Sequence, residues 1–331
     1  MPLEGEVVVN DFLRGEIKFQ AKEIDDQVLI KSDGMPTYQF AVVVDDHLME
    51  ISHVLRGEEW IPSFPKNILL YEAFGWEPPI FVHTPLTLNK EGGKLSKRQG
   101  DVAVEDFRRK GYLVETLINF SALLGWHPKD ENEIFGMDEL IKNFKVEDMG
   151  ISAAVFDIEK LDYLNGHYIR EKNIDELVEM CKPHLEDNLK LTTDKNKHSD
   201  KFLKAVVALE QERMKKLFDI GELTEFFFQD ELDYEADLLI WKKLTSDDVK
   251  ANLETSLDLL DRIPEENWTN NSINDAMITH IKAVEAKVGD YLWPLRASLT
   301  GKKASPSPFD VAEVLGKEES LKRIKAGIAK L

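Results

Sequence analysis

The chain has 331 residues, enough for two or three domains, and its 43% hydrophobic and 31% charged residues suit ordered globular structure. It has no apolar run of about 18 residues and no basic-then-apolar stretch after Met1, so neither a membrane span nor a signal peptide is expected; its single cysteine, Cys181, excludes an internal disulfide framework and a cysteine-cluster zinc site and predicts a reducing, cytoplasmic setting. The formal net charge of −20 argues against nucleic acid only as a sum: residues 1–150 carry −11 and 151–331 carry −9, but residues 94–110 are net +3 and 296–331 net +4.

Residues 1–34 hold short apolar stretches, of which Val7-Val8-Val9 and Val28-Leu29-Ile30 predict strands. Residues 35–90 predict the second half of a parallel sheet. Phe40 to Val44 is a continuous apolar run, expected of a strand or helix buried on all sides. Asp45-Asp46-His47 follows it and predicts acidic capping of the next turn, because no further metal-ligand spacing appears. Lys66 to Phe74 predicts a helix, and Ile80-Phe81-Val82 a strand leading to Pro85-Leu86-Thr87-Leu88, a strand end.

Asn89 to Asp101 then places Lys94, Lys97, Arg98 and the Ser96 hydroxyl within five residues, flanked by Gly92, Gly93 and Gly100. Glycines allow close backbone approach to a ligand, and lysine and arginine bind phosphate as point charge and fork. A basic turn in solvent is the plain alternative. The position between a strand end and a helical stretch, Val104 to Leu124, is where open α/β sheets bind nucleotides.

Further on, Val104 to Phe107, Leu113 to Leu124 and Met137 to Phe144 predict helices. Asp157 predicts a cap for a helix bearing Ile158, Leu161 and Leu164 on one face and ended by Gly166. Residues 174–331 predict an almost wholly helical half, with helices over Asp175–Leu185, Ser199–Leu217, Ser246–Ile263 and Ser272–Val288, a polar loop over Lys190–Asp200 and a basic helical tail, Phe309–Leu331. The Phe226-Phe227-Phe228 run predicts buried packing rather than a base-stacking platform, since no basic residue interleaves it.

Lys94 to Arg98 resembles the "KMSKS" signature of class I aminoacyl-tRNA synthetases in its glutamyl-tRNA synthetase variant. The blocks Lys31–His47, His53–Trp60, Phe156–Gly166 and Trp293–Gly301 resemble the same family, so the resemblance covers nearly the whole chain. The helical C-terminal half points to the bacterial type, since a glutaminyl enzyme would be expected to end in β-barrels. The implied fold is an α/β partial nucleotide-binding (Rossmann-like) domain followed by a mainly α-helical half. Residues 1–34 would be the tail of an inserted acceptor-binding domain and 35–90 the second half of the catalytic domain. Residues 91–173 would form a helical stem-contact module carrying the signature loop, and 174–331 the anticodon-binding domain.

The resemblance also implies roles. Lys94, Ser96, Lys97 and Arg98 would act in catalysis, with Lys94 and Lys97 on the phosphates of ATP. Tyr38 and Arg56 would hold L-glutamate; read as bare residues they are a packing aromatic and an arginine paired with Glu58 or Glu59. Arg213 and Arg296 would contact the anticodon of tRNA(Glu), or be ordinary ion-paired arginines. Mg²⁺ is implied through ATP, no metal is expected on protein ligands, zinc included, and a monomer is expected. The second class I signature, His-x-Gly-His, is not found in these residues. The expectation is a piece of a glutamate–tRNA ligase, inactive alone, whether truncated, an incomplete gene product or one part of a split enzyme. The alternative is a stand-alone tRNA-binding module without catalysis.

Overall fold

The structure, a computed structural model, describes residues 4–93, 103–129 and 131–331. They divide into two compact units, Met1–Asp106 with Val114–Leu164 and Phe107–Leu113 with Asn165–Leu331.

The first unit begins with β1 (Glu6–Asp11), β2 (Gly15–Gln20), α1 (Tyr38–Leu48), β3 (His53–Gly57), α2 (Phe64–Phe74) and β4 (Ile80–Thr84). One four-stranded sheet runs in the order β2-β1-β4-β3. The β1–β2 hairpin is antiparallel, whereas β4 lies parallel to both β1 and β3. Parallel pairing of β3 and β4 needs a crossover, and α2 supplies it. Val7 and Val9 point into the core while Val8 is exposed, the period of two expected of a half-buried strand. Val43 of α1, Phe64 and Tyr71 of α2 and Phe81 of β4 complete that core.

Three expectations change here. Val28-Leu29-Ile30 is not a strand: Val28 and Ile30 are exposed, and the carbonyls of Val28 and Leu29 take the Thr37 hydroxyl while Ile30 makes one isolated bridge to Pro36. The Phe40–Val44 run is helical and buried on one side only, Val43 alone being fully enclosed. Asp45, Asp46 and His47 therefore lie inside α1 rather than capping a following turn, and His47 stacks on Trp76 with ring centroids 3.8 Å apart.

The rest of the first unit holds β5 (Thr87–Leu88), the start of α3 (Val104–Arg109), α4 (Val114–Leu123), α5 (Met137–Asn143), β6 (Ala154–Val155) and the start of α6 (Ile158–Glu171). A second small core forms around Trp126, Phe135 and Leu140. Asp157 accepts the Glu159 N–H at 2.9 Å, the predicted capping bond. Gly166, however, does not end the helix, which continues to Glu171. A Cβ at Gly166 would stand 3.2 Å from the Met214 carbonyl oxygen, so this glycine serves close packing rather than chain reversal.

The second unit continues with α7 (Ile174–Leu189), α8 (Asp200–Glu210), α9 (Asp219–Phe228), α10 (Ser246–Asp261), α11 (Asn270–Ala283), α12 (Val288–Thr300), α13 (Pro308–Leu315) and α14 (Lys317–Lys330). The predicted Ser199–Leu217 helix breaks after Glu210. There Gln211 donates its amide to the carbonyls of Ile169, Arg170 and Lys172 at the end of α6, and Asp219 accepts the Lys215 and Lys216 N–H groups ahead of α9. The predicted Ser272–Val288 helix stops at Ala283, where Glu285 adopts φ 51° and the Ala286 N–H turns back to the Ile281 carbonyl. Phe226, Phe227 and Phe228 are buried, as predicted. The predicted loop over Lys190–Asp200 contains a 3-10 turn, Lys195–His198, whose Lys197 is nearly enclosed and faces Asp230.

Phe107–Leu113 belongs to this unit through Asn165, whose Oδ1 accepts the Leu113 N–H at 2.8 Å and whose Nδ2 donates to the Gly111 and Lys215 carbonyls. Gly111 has φ +80° and approaches Leu217 so closely that an added Cβ would lie 2.6 Å from the Leu217 Cβ. Strain and overlap act together there. Gly111→Ala is expected to destabilise the second unit by about 2 kcal/mol or more, seen as a lower urea midpoint for its helical signal; an unchanged midpoint would contradict this account.

Candidate functional site

Arg56 lies on β3, next to β4 at the edge of the sheet. Its Cζ stands 5.0, 5.8 and 6.0 Å from the ring centroids of Phe81, Phe64 and Trp60. These rings replace water around the cation, and burial, the largest influence, pulls the guanidinium below its ordinary value; Tyr38, Asp46 and Asp11 act against that. The group remains a cation at neutral pH. Tyr38, the first residue of α1, is 54% exposed and rests against Trp60 at a ring separation of 5.1 Å. Trp60 thus joins the two residues predicted to act together. The pairing of Arg56 with Glu58 does not occur, because Glu58 is taken by Arg14 at 2.6 Å.

Arg56 spends its hydrogen bonds inward. Its Nε–H donates to His83 Nε2 at 3.0 Å, and Nη1 and Nη2 both donate to Asn67 Oδ1 at 3.2 Å. Asn67 in turn donates to Gln39 Oε1 at 2.9 Å, which fixes the orientation of its amide. A guanidinium has five N–H donors. Three are used, so two have no partner among the described residues.

His83 and Asp11 are wholly buried behind Arg56, with His83 Nδ1 2.7 Å from Asp11 Oδ2. Asp11 ends β1 and accepts three backbone N–H groups, those of Leu13, Arg14 and His83. Neither residue was among those read from the sequence. The available signal was a histidine in the apolar strand Ile80–Thr84, on the same face as Phe81.

The Lys94-Leu95-Ser96-Lys97-Arg98 signature lies outside the described residues. The segment before it is anchored: Lys90 pairs with Asp157 at 3.0 Å and Glu159 at 3.4 Å, and Asn89 Oδ1 accepts the N–H groups of Glu91 and Gly93. Among the described residues, no three His, Cys, Asp or Glu side chains gather as a metal site, and no helix is long and apolar enough to cross a membrane.

In the second unit Arg213 follows α8 and donates through Nη1 to Glu210 Oε2 at 2.7 Å. Glu210 is buried, its Oε1 has no hydrogen-bond partner among the described residues, and burial pushes its carboxyl up to about 7 against the pull of Arg213 and Lys302. Arg296 lies on α12, its Nε buried without an acceptor among the described residues.

Residues 1–163 match the family model described as tRNA synthetases class I (E and Q), catalytic domain, and residues 176–328 match that of an anticodon binding domain. The chain is similar to glutamate–tRNA ligases of Clostridium botulinum, 44% identical over 333 residues, and of Chlorobaculum parvum, 43% identical over 327 residues. It aligns over 100% and 97% of its own length with these relatives, and it spans 66% and 64% of theirs. A crystal structure of a glutamate tRNA ligase from Elizabethkingia meningosepticum, in complex with its amino acid, superposes with a TM-score of 0.85 at 33% identity, covering 100% of this chain and 67% of that one.

Two pH dependences follow from the buried groups. Burial, the largest influence, with Arg56 and Arg14 adding to it, holds His83 below its ordinary value of 6.5, against the pull of Asp11. The unfolded chain therefore takes up this proton at higher pH than the folded one. The stability contributed by neutral His83 is full above pH 6.5 and lost as the pH falls towards the folded value. The urea midpoint of the first unit should drop on acidification below pH 6.5, and His83→Gln should remove that part of the drop. Glu210 has the opposite sign: its raised value contributes stability below about 4.5 that is lost as the pH rises through about 7. Glu210→Gln should flatten the decline of the second unit across that range, and an identical decline in the variant would refute it.

Proposed function

The chain belongs to the glutamate–tRNA ligase family of class I tRNA synthetases, and from that premise we propose that it serves the ATP-dependent attachment of glutamate to tRNA(Glu) through a glutamyl-adenylate. The observation that carries this reading is Arg56, a desolvated cation with two unspent N–H donors beside the exposed Tyr38. The side-chain carboxylate of L-glutamate takes one of those donors as a charge-assisted bond, and the Tyr38 hydroxyl adds a directional one. Glutamine is disfavoured, because its amide offers the guanidinium half the acceptor capacity and no opposite charge.

In the first step the α-carboxylate oxygen of glutamate attacks the α-phosphorus of ATP, and the bond to pyrophosphate breaks. In the second, a terminal ribose hydroxyl of tRNA attacks the adenylate carbonyl and AMP leaves. Lys94, Lys97 and Arg98 neutralise charge developing on the phosphates, and Ser96 hydrogen-bonds within the loop or to a phosphate oxygen. ATP enters as its magnesium complex, the metal held by phosphate and water. The helical unit meets the anticodon, where Arg213 and Arg296 pair with or stack on unstacked bases. The reading is of a cytoplasmic monomer.

Glutamate-dependent ATP–pyrophosphate exchange tests this, on the chain alone and with the remaining third of the Clostridium botulinum relative supplied in trans. Exchange is expected once that part is supplied. Arg56→Lys should then lower kcat/KM for glutamate by at least about ten-fold, since an ammonium cannot hold His83, Asn67 and the ligand in the guanidinium's fixed plane. Lys97→Ala should slow adenylate formation far more than it weakens glutamate binding. No exchange under either condition, with tRNA(Glu) still bound, would overturn the ligase reading in favour of a binding module.

A further inference from the structure

The charged interior behind Arg56 has a direction. Asp11 carries only acceptors and already takes three backbone N–H groups, so the 2.7 Å bond to His83 Nδ1 requires that nitrogen to donate. Arg56 Nε–H can only donate, so His83 Nε2, 3.0 Å away, has to accept. Both ends of the imidazole demand the same state: neutral, with its proton on Nδ1.

We propose that His83 is a positioning residue for Arg56, its bare Nε2 and the Asn67 amide oxygen fixing the plane of the guanidinium so that an N–H left over is presented to an incoming carboxylate. The inference deepens the glutamate reading above and rests on it for the identity of that carboxylate. A neutral acceptor has a specific advantage here. A carboxylate in place of His83 would hold Arg56 equally well, but would neutralise it and compete with the ligand. The imidazole orients the cation and leaves its charge to be used. Asp11 sits one bond further back, where it fixes the tautomer without touching Arg56. The groups facing His83 are Asp11 and Arg14 from β1 and its turn and Arg56 from β3, with the rings of Phe64 and Phe81 beside it. A proton on Nε2 would set N–H against N–H and a second positive charge against Arg56.

The clamp is tested on the whole chain with His83→Leu, which removes the acceptor, and His83→Gln, whose amide oxygen restores one. Melting curves of both variants are recorded alongside. Imidazole ¹⁵N spectra of the wild type should show a protonated Nδ1 and a bare Nε2. Hydrogen exchange at Arg56 Nε should quicken by about ten-fold or more in His83→Leu, as for loss of one bond to a charged group, and recover in part in His83→Gln. The affinity ratio of L-glutamate to L-glutamine should fall by about ten-fold in His83→Leu, whereas a purely structural role would weaken both ligands alike. A protonated Nε2, or unchanged exchange and an unchanged ratio in His83→Leu, would overturn the proposal. If the wild type binds neither amino acid while exchange behaves as expected, the clamp stands and the glutamate reading falls.

Discussion

The bond between Asp11 and His83 is the constraint on which the first unit turns. It joins the end of β1 to the middle of β4 across 72 positions of sequence, in a place water does not reach. An isolated carboxylate there would be prohibitive; three backbone N–H groups and an imidazole make it tolerable. Those same bonds dictate local form. The Leu13 and Arg14 N–H groups fold back on Asp11 to shape the turn between β1 and β2, and the His83 N–H pins β4 beside it. Arg14 is thereby placed to reach Glu58, which leaves Arg56 free of that acid. A buried polar network of this kind adds little net stability over apolar packing, but each member depends on all the others being present. It specifies one arrangement of β1, β3 and β4 rather than strengthening it.

That dependence separates what the sequence disclosed from what it did not. Periodicity over short range is a local property, so α2, β4, α4 and α5 were readable within a residue or two of their limits. The misread elements are those where a distant partner decides. Gly166 has the look of a helix end until Met214 is seen against it. The Ser199–Leu217 stretch has unbroken helical character, yet Gln211 is drawn to the carbonyls closing α6, and the helix gives way. Phe40–Val44 could not be told from a strand by pattern, because a short apolar run fits both, and only the contacts with α2 select the helix. At the site the same rule holds. Tyr38 and Arg56 stood out through resemblance to a family, since by residue type alone each had a plainer explanation. Asp11, Asn67 and His83 carried no local signal of joint purpose, for their chemistry exists only once three strands and a helix have met.

Charge in the helical unit raises the matching question for RNA. The basic tail is not simply a solvated face. Lys317 donates to the Asp261 and Ile263 carbonyls, Lys322 to that of Asp230 and Lys330 to that of Tyr234. Arg323, almost fully buried, closes the carbonyls of Leu299 and Gln229 and pairs with Glu319. Much of the net +4 of residues 296–331 therefore caps backbone groups, as cations near helix ends commonly do. A capped lysine keeps its charge, so the tail still raises the local potential and can draw a polyanion towards an otherwise acidic surface. What it loses is spare donors.

In the proposed RNA-binding role, attraction and recognition would fall to different residues. Base edges are read by donors and acceptors that hold no prior engagement, and phosphates by charge alone. Arg213 illustrates the boundary. Its partner, Glu210, is enclosed, half-satisfied and raised to about 7, so near neutral pH a good share of these carboxyls are protonated and hold the guanidinium by a neutral contact rather than an ion pair. In the proposed anticodon role, exchanging a protonated partner for a base would leave no buried charge behind, whereas leaving an ionised acid would. Under the proposed roles the two arginines differ in their supports: Arg56 rests on the imidazole of His83, and Arg213 on an acid whose burial pushes its carboxyl up to about 7.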